Sequence, residues 1–390
     1  MLAVAALTAV LAGCGSAPAS EPSSSRGTER GSAVPPPSPT APPTPSPTPQ
    51  DETATRLAAM TVREKLATML MLHHPGTDPA PLAELMRATG AGGFIVMGSN
   101  VAGNASDVAP LTAALTVDQS LPPLVAVDQE GGVVSRLAED GYPAGRALAA
   151  LPPEATREAF AKRAALVRSA GIGMNFGIVA DLTEDRSSFI AGRILGQTPE
   201  ESALRVEQAV AGESGVVLST LKHFPGHGLT GADSHVSVPA SDIGWDAWRA
   251  GAAVPFERGI AAGAEAVMFG HLKLTAVDSV PASLSARWHE VLREDLDFDG
   301  LAVTDDMLML QHSGEPAYAD PLANAIAAIG AGNDLLVYVL AADPAVSGVD
   351  PHQLLTGLET AVADGRIPEA RLDESVERLL DARIALRDGL

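Results

Sequence analysis

One cysteine, Cys14, stands in 390 residues, so no intrachain disulfide can staple the fold and cysteine usage says nothing of the redox compartment. Aromatic residues make up 4% of the chain, too few for a second module built around an aromatic binding face. Cations are scarce as well: 26 Lys and Arg face 48 Asp and Glu, a formal net charge of −22. Such a chain repels nucleic acid and anionic lipid at long range, and any anionic ligand has to be met by local cations. No Gly-x-Gly-x-x-Gly fingerprint opens the first strand-helix unit, which argues against an open dinucleotide-binding sheet. What is present suffices for a globular protein. With 46% hydrophobic and 19% charged residues, there is apolar material for one large core or two modest ones.

The first 13 residues are small and apolar and end in Leu11-Ala12-Gly13, directly before Cys14. A run of that length cannot span a bilayer as a stable helix, but it matches a secretory signal core with small residues at the cleavage point. Residues 11–14 resemble a bacterial lipobox, in which Cys14 becomes the lipidated first residue of the mature chain. Residues 15–51 are dominated by Ser, Pro, Ala and Thr, with Pro35-Pro36-Pro37 and Pro42-Pro43. A segment of this kind buries too little surface to offset its chain entropy, and its prolines keep it extended. It reads as a tether joining a lipid anchor to a folded domain over residues 52–390, outside the cytoplasmic membrane.

Within that domain, short apolar runs alternate with longer amphipathic stretches. The runs are 67–72, 93–97, 124–127, 173–178, 217–221, 266–269, 301–304 and 334–339. Helical patterns fill 107–117, 153–169, 199–213, 245–261, 286–294 and 321–329, with closing helices over 351–364 and 369–387. Continuous apolar strands alternating with helices predict a parallel sheet covered by helices. Eight units in one domain predict an α/β fold of the closed (β/α)8 type.

The densest polar cluster is Lys222-His223-Phe224-Pro225-Gly226-His227-Gly228, followed by Asp233-Ser234-His235. Pro-Gly and Gly-Leu-Thr-Gly stop the preceding strand from turning into a helix, so these groups are expected on a loop at its carboxyl end. Other polar residues fall likewise. Asp128 follows the third run, Asp181 the fourth, His271 the sixth and Asp305 the seventh. In a barrel those strand ends converge on one face, where the chemistry of such folds is carried. Taken singly, each could be a helix cap, as Asp305-Asp306 could be.

These segments, with Val127-Asp128-Gln129-Glu130-Gly131-Gly132-Val133-Val134-Ser135-Arg136 and Val303-Thr304-Asp305-Asp306-Met307, resemble glycoside hydrolase family 3, and most of all its β-N-acetylglucosaminidase branch. The resemblance spans about residues 55–385. It implies cleavage with retention through a covalent glycosyl-enzyme, with Asp305 as nucleophile by motif position and Asp306 as its rival. It implies His235 as the acid/base, charge-stabilised by Asp233, an imidazole that titrates near neutrality without the elevation a Glu would need. Asp128, Arg136, Arg193, Lys222, His223 and His271 are implied to bind the sugar. At Gly192-Arg193-Ile194-Leu195-Gly196 the chain departs from the family's usual Arg-Ser-Phe-Gly. Asp181 is expected to support the site, His227 to stiffen the loop and Asn175 to be a site or strand-end amide. His73, His74 and His312 read as surface residues.

No cofactor and no metal are implied. Pro225-Gly226 between His223 and His227 prevents the helical presentation of a His-x-x-x-His zinc site, though a metal-dependent hydrolase stays as an alternative. Phosphorolysis is a second alternative, because a histidine repels phosphate less than a carboxylate does. A sugar-binding lipoprotein without turnover is a third. The expected partners are N-acetylglucosamine-containing oligosaccharides or muropeptides, and the membrane through the lipid anchor, with no nucleic acid. The expected state is a monomer.

Overall fold

The structure is a computed structural model that describes residues 48–232, 234 and 237–389. Cys14 and the tether residues up to 47 therefore lie outside the described residues. Eight parallel strands close into a barrel: β1 (Leu70–Leu72), β2 (Gly93–Val96), β3 (Leu124–Val127), β4 (Met174–Val179), β5 (Leu218–Phe224), β6 (Ala266–Phe269), β7 (Leu301–Asp306) and β8 (Leu335–Tyr338). Neighbours in sequence are neighbours in space. β8 returns to β1 with Leu70 paired to Leu336. Almost every strand residue is buried, as expected where helices cover the outside and side chains fill the inside.

The helical layer follows the predicted alternation. Its members include α1 (Pro49–Ala59), α2 (Val62–Thr68), α3 (Pro79–Thr89), α4 (Ala105–Ala114), α5 (Pro153–Ser169) and α6 (Pro199–Glu213). After β5 come α7 (Trp245–Ala250), α8 (Ala253–Ala261), α9 (Ala286–Glu290), α10 (Pro321–Ala331), α11 (Pro351–Ala363) and α12 (Glu369–Asp388). Five of these helices start from the same two-residue signal. Thr48, Asp78, Thr198, Asp320 and Asp350 each accept a hydrogen bond from a first-turn amide, and each is followed by proline. The side-chain oxygen satisfies an orphan donor, and the proline sits where its missing N–H costs nothing. No helix among the described residues is long and apolar enough to cross a membrane.

Four local expectations are corrected. Residues 67 and 68 belong to α2, whose Thr61/Glu64 capping box starts a helix ahead of β1. The helix expected over 245–261 is two helices, the first closed at Gly251. α1 begins at Pro49, inside the stretch read as tether, because Thr48 and Asp51 form a capping box there. Most important for the site, β5 does not end at Leu221. It carries Lys222, His223 and Phe224 within the strand.

Inside the barrel, Ile95, Phe176, Met268 and Val337, one from each even-numbered strand, line the floor of the cavity at the carboxyl ends. Alternate strands supplying one layer of four apolar side chains is the packing expected of this architecture. At the opposite end, Asp334 is fully buried ahead of β8. Its carboxylate accepts from Arg293 Nη2 at 2.7 Å, Arg371 Nη2 at 2.8 Å, Arg378 Nη1 at 3.3 Å, Ser375 Oγ at 2.8 Å and the Ala302 amide at 2.9 Å. This clamp fastens α12 and the turn after α9 to the barrel's lower rim. Asp334→Ala should therefore leave Arg293 and Arg378 without an acidic partner and Arg371 with Glu374 alone, and cost about 3–5 kcal/mol. The check is a lower urea midpoint at unchanged slope.

Candidate active site

The carboxyl ends of the strands surround a cavity of about 240 Å³, and Asp128, Glu130, Arg136, Arg193, Lys222, His223, His227, Ser234, Asp305 and Asp306 contribute its polar wall. β3 and its exit supply the first of these through the two-residue pleat. Asp128 and Glu130 point into the cavity, while the buried Gln129 between them turns to the protein. Gln129 Oε1 accepts from the Arg136 and Leu137 amides at 2.9 Å each, and its Nε2 donates to Ser135 Oγ at 2.6 Å and Asp140 Oδ2 at 2.8 Å. That pins the loop carrying Arg136. Gly131 makes the turn possible: its φ is +83°, and a side chain there would strike the Arg163 guanidinium. Arg163 is itself buried against Asp140, 2.6 Å away.

β5 brings in the cationic side. Lys222 Nζ donates to Asp128 Oδ1 at 2.9 Å and reaches Glu130 Oε1 at 2.7 Å. Arg193, from the long loop after β4, grips Glu130 with Nε at 2.8 Å and Nη2 at 2.6 Å. Arg136 Nη2 reaches Asp128 Oδ2 at 3.2 Å. Burial pulls the Lys222 pKa down, but Asp128 and Glu130 outweigh it and hold the ammonium above its ordinary value. Asp181 is fully buried and ties β4 to β5. It accepts from His223 Nδ1 at 2.7 Å and from the His227 amide at 2.5 Å. His223 Nε2 lies 3.4 Å from Arg193 Nη2.

Asp305 sits partly buried near the end of β7, accepting from the Asp306 amide at 2.8 Å. Burial would raise its pKa, but the imidazoles of His223 and His271 and the Asp306 N–H outweigh that, so the carboxyl stays below its ordinary value. It is thus an anion at neutral pH. Asp306 is used differently. Its Oδ1 accepts from the Leu308 amide at 3.1 Å and the Val339 amide at 3.0 Å, capping the next turn and stitching β7 to the exit of β8.

Most of the expected residues meet here. Asp128, Arg136, Arg193, Lys222, His223 and Asp305 share the cavity, with Asp181 behind them. His271 is not part of the wall. Its Nε2–H donates to the Asp306 carbonyl at 3.0 Å, at the end of β7, and its Nδ1 faces Ser283 Oγ at 2.7 Å in the turn at 282–284, so both ring nitrogens are spent on joining that turn to β7. Asp233 and His235 lie outside the described residues; Ser234 between them is buried and contacts His227 Nε2 at 2.7 Å. His73 is buried and not on the surface, bonded to Leu340 O and Ser99 Oγ, whereas His74 is half-buried and His312 exposed. Glu130 was missed as a site residue, although its spacing of two from Asp128 at a strand end was a usable signal. Among the described residues no group of three or more His, Cys, Asp or Glu side chains is placed to hold a metal ion. Asn175 is a support: it exchanges hydrogen bonds with the Gln129 backbone and donates to Glu213 Oε1 at 2.5 Å.

Residues 61–382 match the glycosyl hydrolase family 3 N terminal domain. The chain is 33% identical over 340 residues to a β-hexosaminidase of Stenotrophomonas maltophilia, covering 80% of this chain and 98% of that one. A β-hexosaminidase of Pseudomonas aeruginosa is 35% identical over 261 residues, 65% of this chain and 76% of its own. Among solved structures, a family 3 β-N-acetylglucosaminidase from a Paenibacillus species superposes with a TM-score of 0.76 at 32% identity. That alignment covers 84% of this chain but 63% of the longer Paenibacillus protein.

Behind the site, Glu213 links stability to pH. Its complete burial pushes the carboxyl up to about 8, with the Asn175 hydrogen bond opposing only part of the shift. The folded state then binds a proton that the unfolded state releases near its ordinary value of 4.5, so stability should fall as pH rises from about 5 through 8. Glu213→Gln should flatten that slope and be the more stable protein at pH 8. Urea midpoints of both proteins across this range give the test.

Proposed function

The chain belongs to glycosyl hydrolase family 3 and is a glycoside hydrolase, and from that premise we propose that it removes terminal β-linked N-acetylglucosamine with retention of configuration. The observation that carries this reading is an ionised Asp305 sharing one small cavity with Asp128, Lys222, Arg193 and His223. Pockets for drug-sized ligands measure about 300–1,000 Å³, so a cavity of about 240 Å³ is small and suits one sugar ring and exo-action. In the first step the Asp305 carboxylate bonds to the anomeric carbon as the bond to the leaving oxygen breaks, and that oxygen takes a proton from the His235 imidazolium. In the second, water gives a proton to His235 and its oxygen to the anomeric carbon, releasing Asp305. His235 and Asp233 hold these roles by their place in Asp233-Ser234-His235, a reading supported by Ser234 in the cavity wall. The Asp306 carboxylate is occupied by two backbone amides, which favours Asp305 as the nucleophile.

The substrate class follows from location. Lipidation at Cys14 and a Pro-rich tether would place the barrel beside the cell wall, where peptidoglycan fragments and muropeptides carry β-linked N-acetylglucosamine. Purified residues 48–390 should release p-nitrophenol from p-nitrophenyl N-acetyl-β-glucosaminide with or without chelator. Asp305→Asn should lose about 10⁴-fold in kcat. Full activity in that variant, or activity abolished by chelator, overturns the mechanism; sugar 1-phosphate formed in the presence of phosphate assigns the second step to phosphorolysis. In cells, Cys14→Ser should move the protein from the membrane to the soluble fraction, and unchanged fractionation contradicts the anchor.

A further inference from the structure

We infer that Glu130 is a positioning residue for sugar recognition, one that sets the direction in which Arg193 and Lys222 present their remaining donors; this rests on the glycosidase reading above. Three consecutive strand exits supply the parts. Glu130 leaves β3, Arg193 comes from the loop after β4, and Lys222 lies in β5. The carboxylate is 5% exposed, and three cationic donors already occupy it. Oε1 takes Arg193 Nη2 at 2.6 Å and Lys222 Nζ at 2.7 Å, and Oε2 takes Arg193 Nε at 2.8 Å. A carboxylate offers about four acceptor positions, so little capacity is left for a sugar hydroxyl.

The consequence lies in the geometry of the guanidinium. Bidentate pairing commits the Nε/Nη2 edge to Glu130, and a planar fork gripped along one edge has its other edge fixed in direction. Arg193 therefore holds Nη1 outside the Glu130 pair, and Lys222, with two N–H groups spent on Asp128 and Glu130, keeps its third. Without the intervening carboxylate, two buried cations would face each other and repel. Arg193 would have the greater freedom to leave, since it stands on a loop and Lys222 on a strand. Glu130 thus converts two mobile cations into a fixed pair of donors at a cavity the size of one sugar. Asp128, which contacts Lys222 and Arg136 but not Arg193, cannot replace it.

Steady-state kinetics on p-nitrophenyl N-acetyl-β-glucosaminide test this with Glu130→Gln, Glu130→Asp, Arg193→Lys and the double variant Glu130→Gln/Arg193→Lys, each beside its melting temperature. Glu130→Gln should raise KM about tenfold and lower kcat/KM about 100-fold, the cost of misplacing a bound substrate by about 1 Å. Glu130→Asp keeps the charge but is a methylene shorter, so it should fold as the wild type and still raise KM. In the Arg193→Lys background, Glu130→Gln should add little, because both changes dismantle one arrangement. Unchanged KM in Glu130→Asp and Glu130→Gln, or fully additive losses in the double variant, overturns the inference. A wild-type enzyme inactive on the aryl glycoside would instead sink the glycosidase reading.

Discussion

The buried charge balance around Lys222 is the constraint on which the site depends. An ammonium that is 2% exposed is held charged by Asp128 and Glu130, which close on it from the exit of β3, the next strand but one. Breaking such a set leaves an uncompensated charge in a poorly solvated place, a cost of about 3–5 kcal/mol, so its members are bound to one another as firmly as to the fold. The same requirement orders the rest. Arg193 pairs with Glu130, His223 lies within reach of Arg193, Asp181 fixes His223, and the imidazoles keep Asp305 ionised.

Two ends of the barrel divide the work. Below, Asp334 gathers three arginines and a serine to fasten the last helix, and no part of that cluster lines the cavity. Above, the charges are arranged around open space. Between them, four apolar residues from alternate strands form a partition. The separation is consistent with strand carboxyl ends carrying chemistry and amino ends carrying stability.

Much of this architecture was legible from the chain alone, because continuous apolar strands and amphipathic helices leave periodic traces. Asp128, Lys222, His223 and Asp305 could be picked out by their position after such runs. What was hidden is whatever depends on distant partners. β5 extends through Lys222 and His223 because carboxylates 94 and 42 residues away satisfy them, and no local pattern reports that. His271 falls at the correct strand end, yet Ser283 and the Asp306 carbonyl absorb its nitrogens. Glu130 is the reverse case. It looked like part of a loop motif, and only the folded arrangement brings Arg193 from 63 residues away onto both its oxygens.

The partition of Ile95, Phe176, Met268 and Val337 has a bearing on how the protein could change over generations. None of these side chains carries a formal charge or a hydrogen-bonding group, so they exchange no proton and demand no particular neighbour above them. Residues on the upper side can drift toward another sugar or another leaving group while the packing underneath is undisturbed, and the lower fastening can be remodelled without the chemistry registering it. The layer acts as a bulkhead between two inheritances, one of shape and one of reactivity.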